Sequence, residues 1–117
     1  MVWRWLVGLL ILLLPGGVCA LPPPLLPASV VDQALTDLPR WERRGQTLIL
    51  TTTFPDFVQA MAFVNQLIAP AERLGHHPEI TIIYNRVTLL LTTHDAGGLT
   101  QLDLDLAQAI QGLLSAP

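Results

Sequence analysis

The segment Thr47–Phe54 constrains the fold more than any other stretch of this chain. Leu48, Leu50, Thr52 and Phe54 fall on one side of an extended backbone, while Thr47, Ile49, Thr51 and Thr53 fall on the other. A strand patterned in this way suits a sheet covered on one side only. Arg40–Arg43 reads as its partner strand, joined through Arg44-Gly45-Gln46, where glycine supplies the turn. A second pair of β-rich runs follows later: Ile80–Tyr84, a two-residue turn at Asn85-Arg86, then Val87–His94.

Helical patterns separate and flank these hairpins. Ser29 is placed to cap a short helix through Leu38 that offers Val30, Val31, Ala34 and Leu38 to one face, with Pro39 as the stop. From Pro55 to Leu74, Phe57, Ala60, Met61, Val64, Leu67, Ile68, Ala71 and Leu74 recur every three or four residues as a core-facing stripe. Pro70 removes a hydrogen bond inside that helix, so a kink is expected near Gln66–Pro70. Gly75 is placed to end the helix in a left-handed conformation. Thr100-Gln101-Leu102-Asp103 has the form of a capping box and opens a last helix carrying Leu102, Leu106, Ala109, Ile110 and Leu113. The order α-β-β-α-β-β-α predicts an α+β two-layer sandwich, a four-stranded antiparallel sheet with helices packed on one face.

A length of 117 residues admits one domain, and 51% apolar against 13% charged residues excludes a disordered chain. Formal charge is −3 and there is no Lys, which argues against a nucleic-acid-binding face. Cys19 is the single cysteine, so no intramolecular disulfide and no cysteine-based zinc site is available, and thiol catalysis is not expected.

The N-terminus stands apart from this domain. Leu6–Leu14 is a nine-residue apolar run behind Arg4, too short for the roughly 20 residues of a membrane-spanning helix, and it is followed by Pro15-Gly16-Gly17. With Val18-Cys19-Ala20 as a cleavage site, residues 1–20 read as a signal peptide and the mature chain begins at Leu21. An uncleaved N-terminal anchor and a downstream true start are the competing readings. The first makes the protein exported, the second ties it to a membrane, and the third leaves it cytoplasmic. Leu21–Pro27 is a Pro-rich spacer, and the domain is expected over residues 28–117.

All three histidines fall in the second half of the chain. Pairing Tyr84 with Val87 across the hairpin and extending the ladder brings His77 opposite His94, with His76 and Asp95 beside them. Imidazole gives and takes protons near neutral pH, so general acid–base chemistry is the natural use of such a cluster. The helix end before His76 and Glu72 one turn upstream favour a protonated ring there. Two other readings stand beside this one: plain helix-cap and strand-end histidines, and a three-His metal site.

The ordered segments Ala71-Glu72-Arg73-Leu74-Gly75-His76-His77-Pro78-Glu79-Ile80, Tyr84-Asn85-Arg86-Val87, Leu91-Thr92-Thr93-His94 and Gly98-Leu99-Thr100, followed by Asp103 and Leu106-Ala107, resemble the pterin-4a-carbinolamine dehydratase family. Trp41 and Phe54-Pro55-Asp56-Phe57 fit as well, so the resemblance spans Ala28–Leu114. It implies dehydration of 4a-hydroxytetrahydrobiopterin to the quinonoid dihydropterin in tetrahydrobiopterin recycling, without metal or cofactor. Carried over, the active histidines are His76, His77 and His94, and the pterin-contacting loops hold Gly75, Thr92, Thr93 and Asp95, with Glu72 and Trp41 as supporting wall. His77 and His94 are taken as the proton-transfer pair and His76 as orienting substrate. The resemblance also implies a homo-oligomer, dimer or tetramer. The alternative reading is a non-catalytic dimerisation or partner-binding module on the same fold.

Overall fold

The computed structural model describes Gly16 and residues 21–116; the apolar run, Cys19 and the cleavage site read from the sequence lie outside the described residues. In chain order the elements are α1 (Ala28–Leu35), β1 (Glu42–Arg44), β2 (Thr47–Thr53), α2 (Phe57–Gln66), α3 (Ile68–Leu74), β3 (Glu79–Ile83), β4 (Arg86–Leu91) and α4 (Gln101–Ser115). A single 3-10 turn, His94–Ala96, precedes α4. The strands form one antiparallel sheet in the order β1-β2-β4-β3, so the two hairpins meet through β2 and β4. This is the α+β sandwich expected from the alternation in β2.

One face of the sheet carries the core. Leu48 and Leu50 from β2 and Val87, Leu89 and Leu91 from β4 are fully buried against Val31, Ala60, Phe63, Leu106 and Ile110 of the helices. Each such side chain contributes about 1.5–3 kcal/mol on leaving water. Thr51 and Thr53 on the opposite face are exposed, and the hydroxyls of Thr51 and Thr88 approach to 3.3 Å across paired strands.

Several local expectations shift. β1 starts at Glu42 instead of Arg40, and Gly45-Gln46 forms the turn, with Gly45 at φ +59°. Ser29 does not cap α1: the helix begins behind Pro27, has no side-chain cap and stops at Leu35. A bidentate ion pair from Arg43 to Asp32 ties α1 to β1, at 2.7 and 3.0 Å. In α2 and α3 the buried stripe runs through Ala60, Phe63, Leu67 and Ala71, so Phe63 is core while Phe57 and Ile68 are exposed.

The expected kink falls at Leu67, a single residue between two helices whose own backbone stays helical at φ −71°, ψ −21°. α2 ends at Gln66 and α3 restarts at Ile68, which makes Pro70 its third residue. The first four amides of a helix have no intrahelical partner, so the missing N–H of Pro70 costs nothing there, and Ala71 N resumes the ladder by donating to Leu67 O at 3.1 Å.

The second hairpin turns one residue earlier than the sequence suggests. Ile83 pairs with Arg86, the turn is Tyr84-Asn85, and Tyr84 adopts φ +59°. Asn85 is tied to the residue after β2: its carbonyl accepts from Phe54 N and its side-chain amide donates to Phe54 O, both at 2.8 Å. Carried on beyond β3, this register brings Thr92 and not His94 level with His77. The predicted cross-strand pairing of those histidines is therefore corrected.

The Leu21–Pro27 stretch does not stand clear of the domain. Leu26 N donates to Leu99 O at 2.8 Å, and the Leu26 side chain packs on the core.

Candidate active site

Two chain reversals bring the histidines together. Gly75 ends α3 at φ 59°, ψ 32°, and this left-handed turn sends His76 and His77 back over the helix end. His94 opens the 3-10 turn after β4, which Gly97 closes at φ +77° and a Thr93–Gly98 bridge pins. Both reversals open on one cavity of about 320 Å3, a size that takes a small heterocycle. His76, His77 and His94 line it, and so do Gly75, Thr92, Thr93 and Asp95. Pro22, Pro23 and Leu102 complete its wall.

The three imidazoles have different settings. His76 is 9% exposed, and its Nε2 lies 2.6 Å from Oδ1 of the fully buried Asp103. Asp103 Oδ2 accepts from Thr100 N at 2.8 Å and from the Thr93 hydroxyl at 2.8 Å. With its proton committed to Asp103, Thr93 Oγ1 receives the Thr100 hydroxyl at 2.7 Å. A carboxylate accepts and does not donate, so Nε2 of His76 is the donor in this contact. His77 is exposed, with Nε2 2.7 Å from Glu72 Oε1. His94 is exposed too, with Nε2 3.5 Å from Glu79 Oε1.

Each ring thus faces its own carboxylate. Among the described residues no three His, Cys, Asp or Glu side chains converge as a metal-ligand set. Two residues assigned to the wall sit elsewhere. Trp41 is a core residue, 5% exposed, whose buried Nε1 has no partner among the described residues, and it does not line the cavity. Glu72 stands behind the lining and reaches the site through His77.

The residue that sequence reasoning undervalued is Asp103. It reads as a capping-box carboxylate and does accept from the Thr100 amide, but its other oxygen holds His76. The signal was present: Asp103 precedes Leu106, Ala107 and Ile110 by three, four and seven positions, which puts it on the buried stripe of α4.

A model of the family described as pterin 4 alpha carbinolamine dehydratase matches residues 24–113. The chain belongs to this family. A relative from Thermosynechococcus vestitus that carries the pterin-4-alpha-carbinolamine dehydratase name is 53% identical over 87 residues, 74% of this chain and 90% of that protein. One from Thermomicrobium roseum, named likewise, is 49% identical over 87 residues, 74% of this chain and 94% of its own. Among solved structures, a transcriptional coactivator/pterin dehydratase from Brucella melitensis superposes with a TM-score of 0.71 at 34% identity, covering 75% of this chain and 96% of that one. A pterin dehydratase-like RuBisCO assembly factor of the alpha-carboxysome shares the fold, with a TM-score of 0.53 at 23% identity over 67% of this chain and 90% of its own.

Proposed function

We propose that the chain dehydrates a 4a-hydroxytetrahydropterin to the quinonoid dihydropterin and water by histidine acid–base catalysis. The observation that carries this reading is the convergence of all three histidines of the chain on one cavity, each ring beside its own carboxylate. In the reaction an imidazolium protonates the hydroxyl on carbon 4a, the carbon–oxygen bond breaks, and a neutral imidazole removes a proton from a ring or amino nitrogen. Atoms balance with water as the leaving group and no redox partner.

The division of labour follows from exposure. An acid and a base must each return to their starting protonation state through solvent on every turnover. His77 and His94 stand at the exposed rim, paired with the exposed Glu72 and Glu79, and suit that traffic. His76 is buried and committed to Asp103, which fixes its ring and suits it to orient substrate through Nδ1. Thr92, Asp95 and the Gly75 backbone supply further polar contacts around the same volume. The resemblance supports a role in tetrahydrobiopterin recycling and assembly as a homo-oligomer, and the leader-like sequence of residues 1–20 supports export.

The test is decay of the 4a-hydroxy intermediate, generated in place by a pterin-dependent hydroxylase, with a chelator present throughout. The chain accelerates decay, and His77→Ala lowers turnover by about two orders of magnitude or more while far-UV circular dichroism is unchanged. An unchanged rate in His77→Ala refutes the catalytic assignment. A folded wild-type chain with no turnover moves the reading to a binding module on this fold.

A further inference from the structure

The cavity has a wall that the family match does not account for. Pro22 and Pro23 line the same volume as the three histidines, yet both precede residue 24, where the match to the family begins. They belong to a strap that is docked at a built position. Leu26 N donates to Leu99 O at 2.8 Å, and a Cβ added to the buried Gly98 would stand 3.1 Å from Leu25 Cδ2. The nearest atom to that Cβ would be Gln46 Oε1 at 2.4 Å, so Gly98 is packed chiefly against Gln46, with the Leu25 side chain beside it.

From that anchor the chain runs back through Pro24, Pro23 and Pro22. Each pyrrolidine ring fixes φ and removes an N–H, so the run is a stiff extended piece that needs no hydrogen bonds of its own to hold direction. Its position at the cavity follows from the anchor at Leu25-Leu26. The strap also adds apolar surface to a mostly polar lining: of the other lining residues only Leu102 is aliphatic, the remainder presenting imidazole, hydroxyl, carboxylate or backbone. A reduced pterin offers polar edges to such groups and two broad ring faces that gain from apolar contact.

We propose that Pro22 and Pro23 are substrate-binding residues, an apolar wall supplied by this chain's own N-terminal strap against which the face of the pterin ring lies. The identity of the ligand rests on the dehydratase reading above. The wall makes its contact equally with ground state and transition state, so it acts on affinity and not on the chemical step.

The test uses the full chain and its Pro22→Gly/Pro23→Gly double variant, which removes both rings and the stiffness but leaves the Leu25-Leu26 anchor in place. Equilibrium binding of dihydrobiopterin is measured by calorimetry, and KM and kcat by decay of the 4a-hydroxy intermediate. The expected result is a Kd and a KM each raised about tenfold, with kcat within about twofold of wild type. Equal affinity in the two chains overturns the proposal, as does a failure of both to bind dihydrobiopterin, and so does a loss confined to kcat. Wild-type binding without turnover refutes the dehydratase reading alone, and the ratio of the two dissociation constants then decides the strap.

Discussion

Replacing Asp103 separates the structural from the orienting role of the buried carboxylate. In Asp103→Ala, three donors lose their acceptor in a dry environment: His76 Nε2, the Thr93 hydroxyl and the Thr100 amide. Removing one partner of a buried charged network costs about 3–5 kcal/mol. For a domain near 100 residues that lowers Tm by roughly 15–30 °C. Asp103→Asn keeps the volume and an acceptor oxygen for Thr93 and Thr100, but turns an NH2 group toward His76. That contact is satisfied only if His76 Nε2 gives up its proton and accepts, which moves the ring proton to Nδ1. The stability loss is then about 1–2 kcal/mol, and the proton-bearing ring nitrogen is Nδ1.

Thermal unfolding at fixed protein concentration measures the first effect, and nitrogen-15 shifts of the imidazole measure the second. The reasoning is refuted by an Asp103→Ala Tm within about 5 °C of wild type, which is below the loss worked from those three bonds. It is refuted equally by an Asp103→Asn chain in which Nε2 of His76 still carries the proton.

Gly75→Ala meets nothing within 4 Å of the new Cβ, so its cost is the left-handed backbone alone, about 1–2 kcal/mol by chemical denaturation. Pro70→Ala changes stability by less than about 1 kcal/mol, because the amide it restores lies in the first turn of α3, where no intrahelical acceptor exists; a larger gain would mean that α2 and α3 fuse. The hydrogen bond from Arg43 holds the Asp32 carboxyl below its ordinary value of 3.8. A depressed carboxyl stabilises the fold above its unfolded pKa and loses that contribution as pH falls through the folded one. The gap in stability between wild type and Asp32→Asn should therefore be constant from neutral pH down to about 5 and close below about pH 4, which acid titration of the two chains will show.

How legible the site was depended on which physical signal carried each part. That the histidines share a place follows from the hairpin itself, which brings the start of β3 beside the end of β4 in either register. The pairing of His77 with His94 failed because moving the turn from Asn85-Arg86 to Tyr84-Asn85 changes the register by two residues. Such a shift leaves Ile80, Ile82, Val87 and Leu89 on the same face, so the apolar pattern fits either pairing equally well. The observed register goes with Phe54, the residue after β2, which bonds to both the backbone carbonyl and the side-chain amide of Asn85.

The same distinction runs through the molecule. The sequence by itself determined the one-sided sheet, the order of hairpins and helices, the left-handed stop at Gly75 and the residue types gathered at the site, because periodicity and turn chemistry are local. Tertiary structure decided that Trp41 serves the core, that Asp103 holds His76, and that Pro22 and Pro23 line the cavity. Each of those depends on contact between segments far apart in the chain, and a side chain's partner across such a distance is fixed only when the packing of the whole domain is fixed.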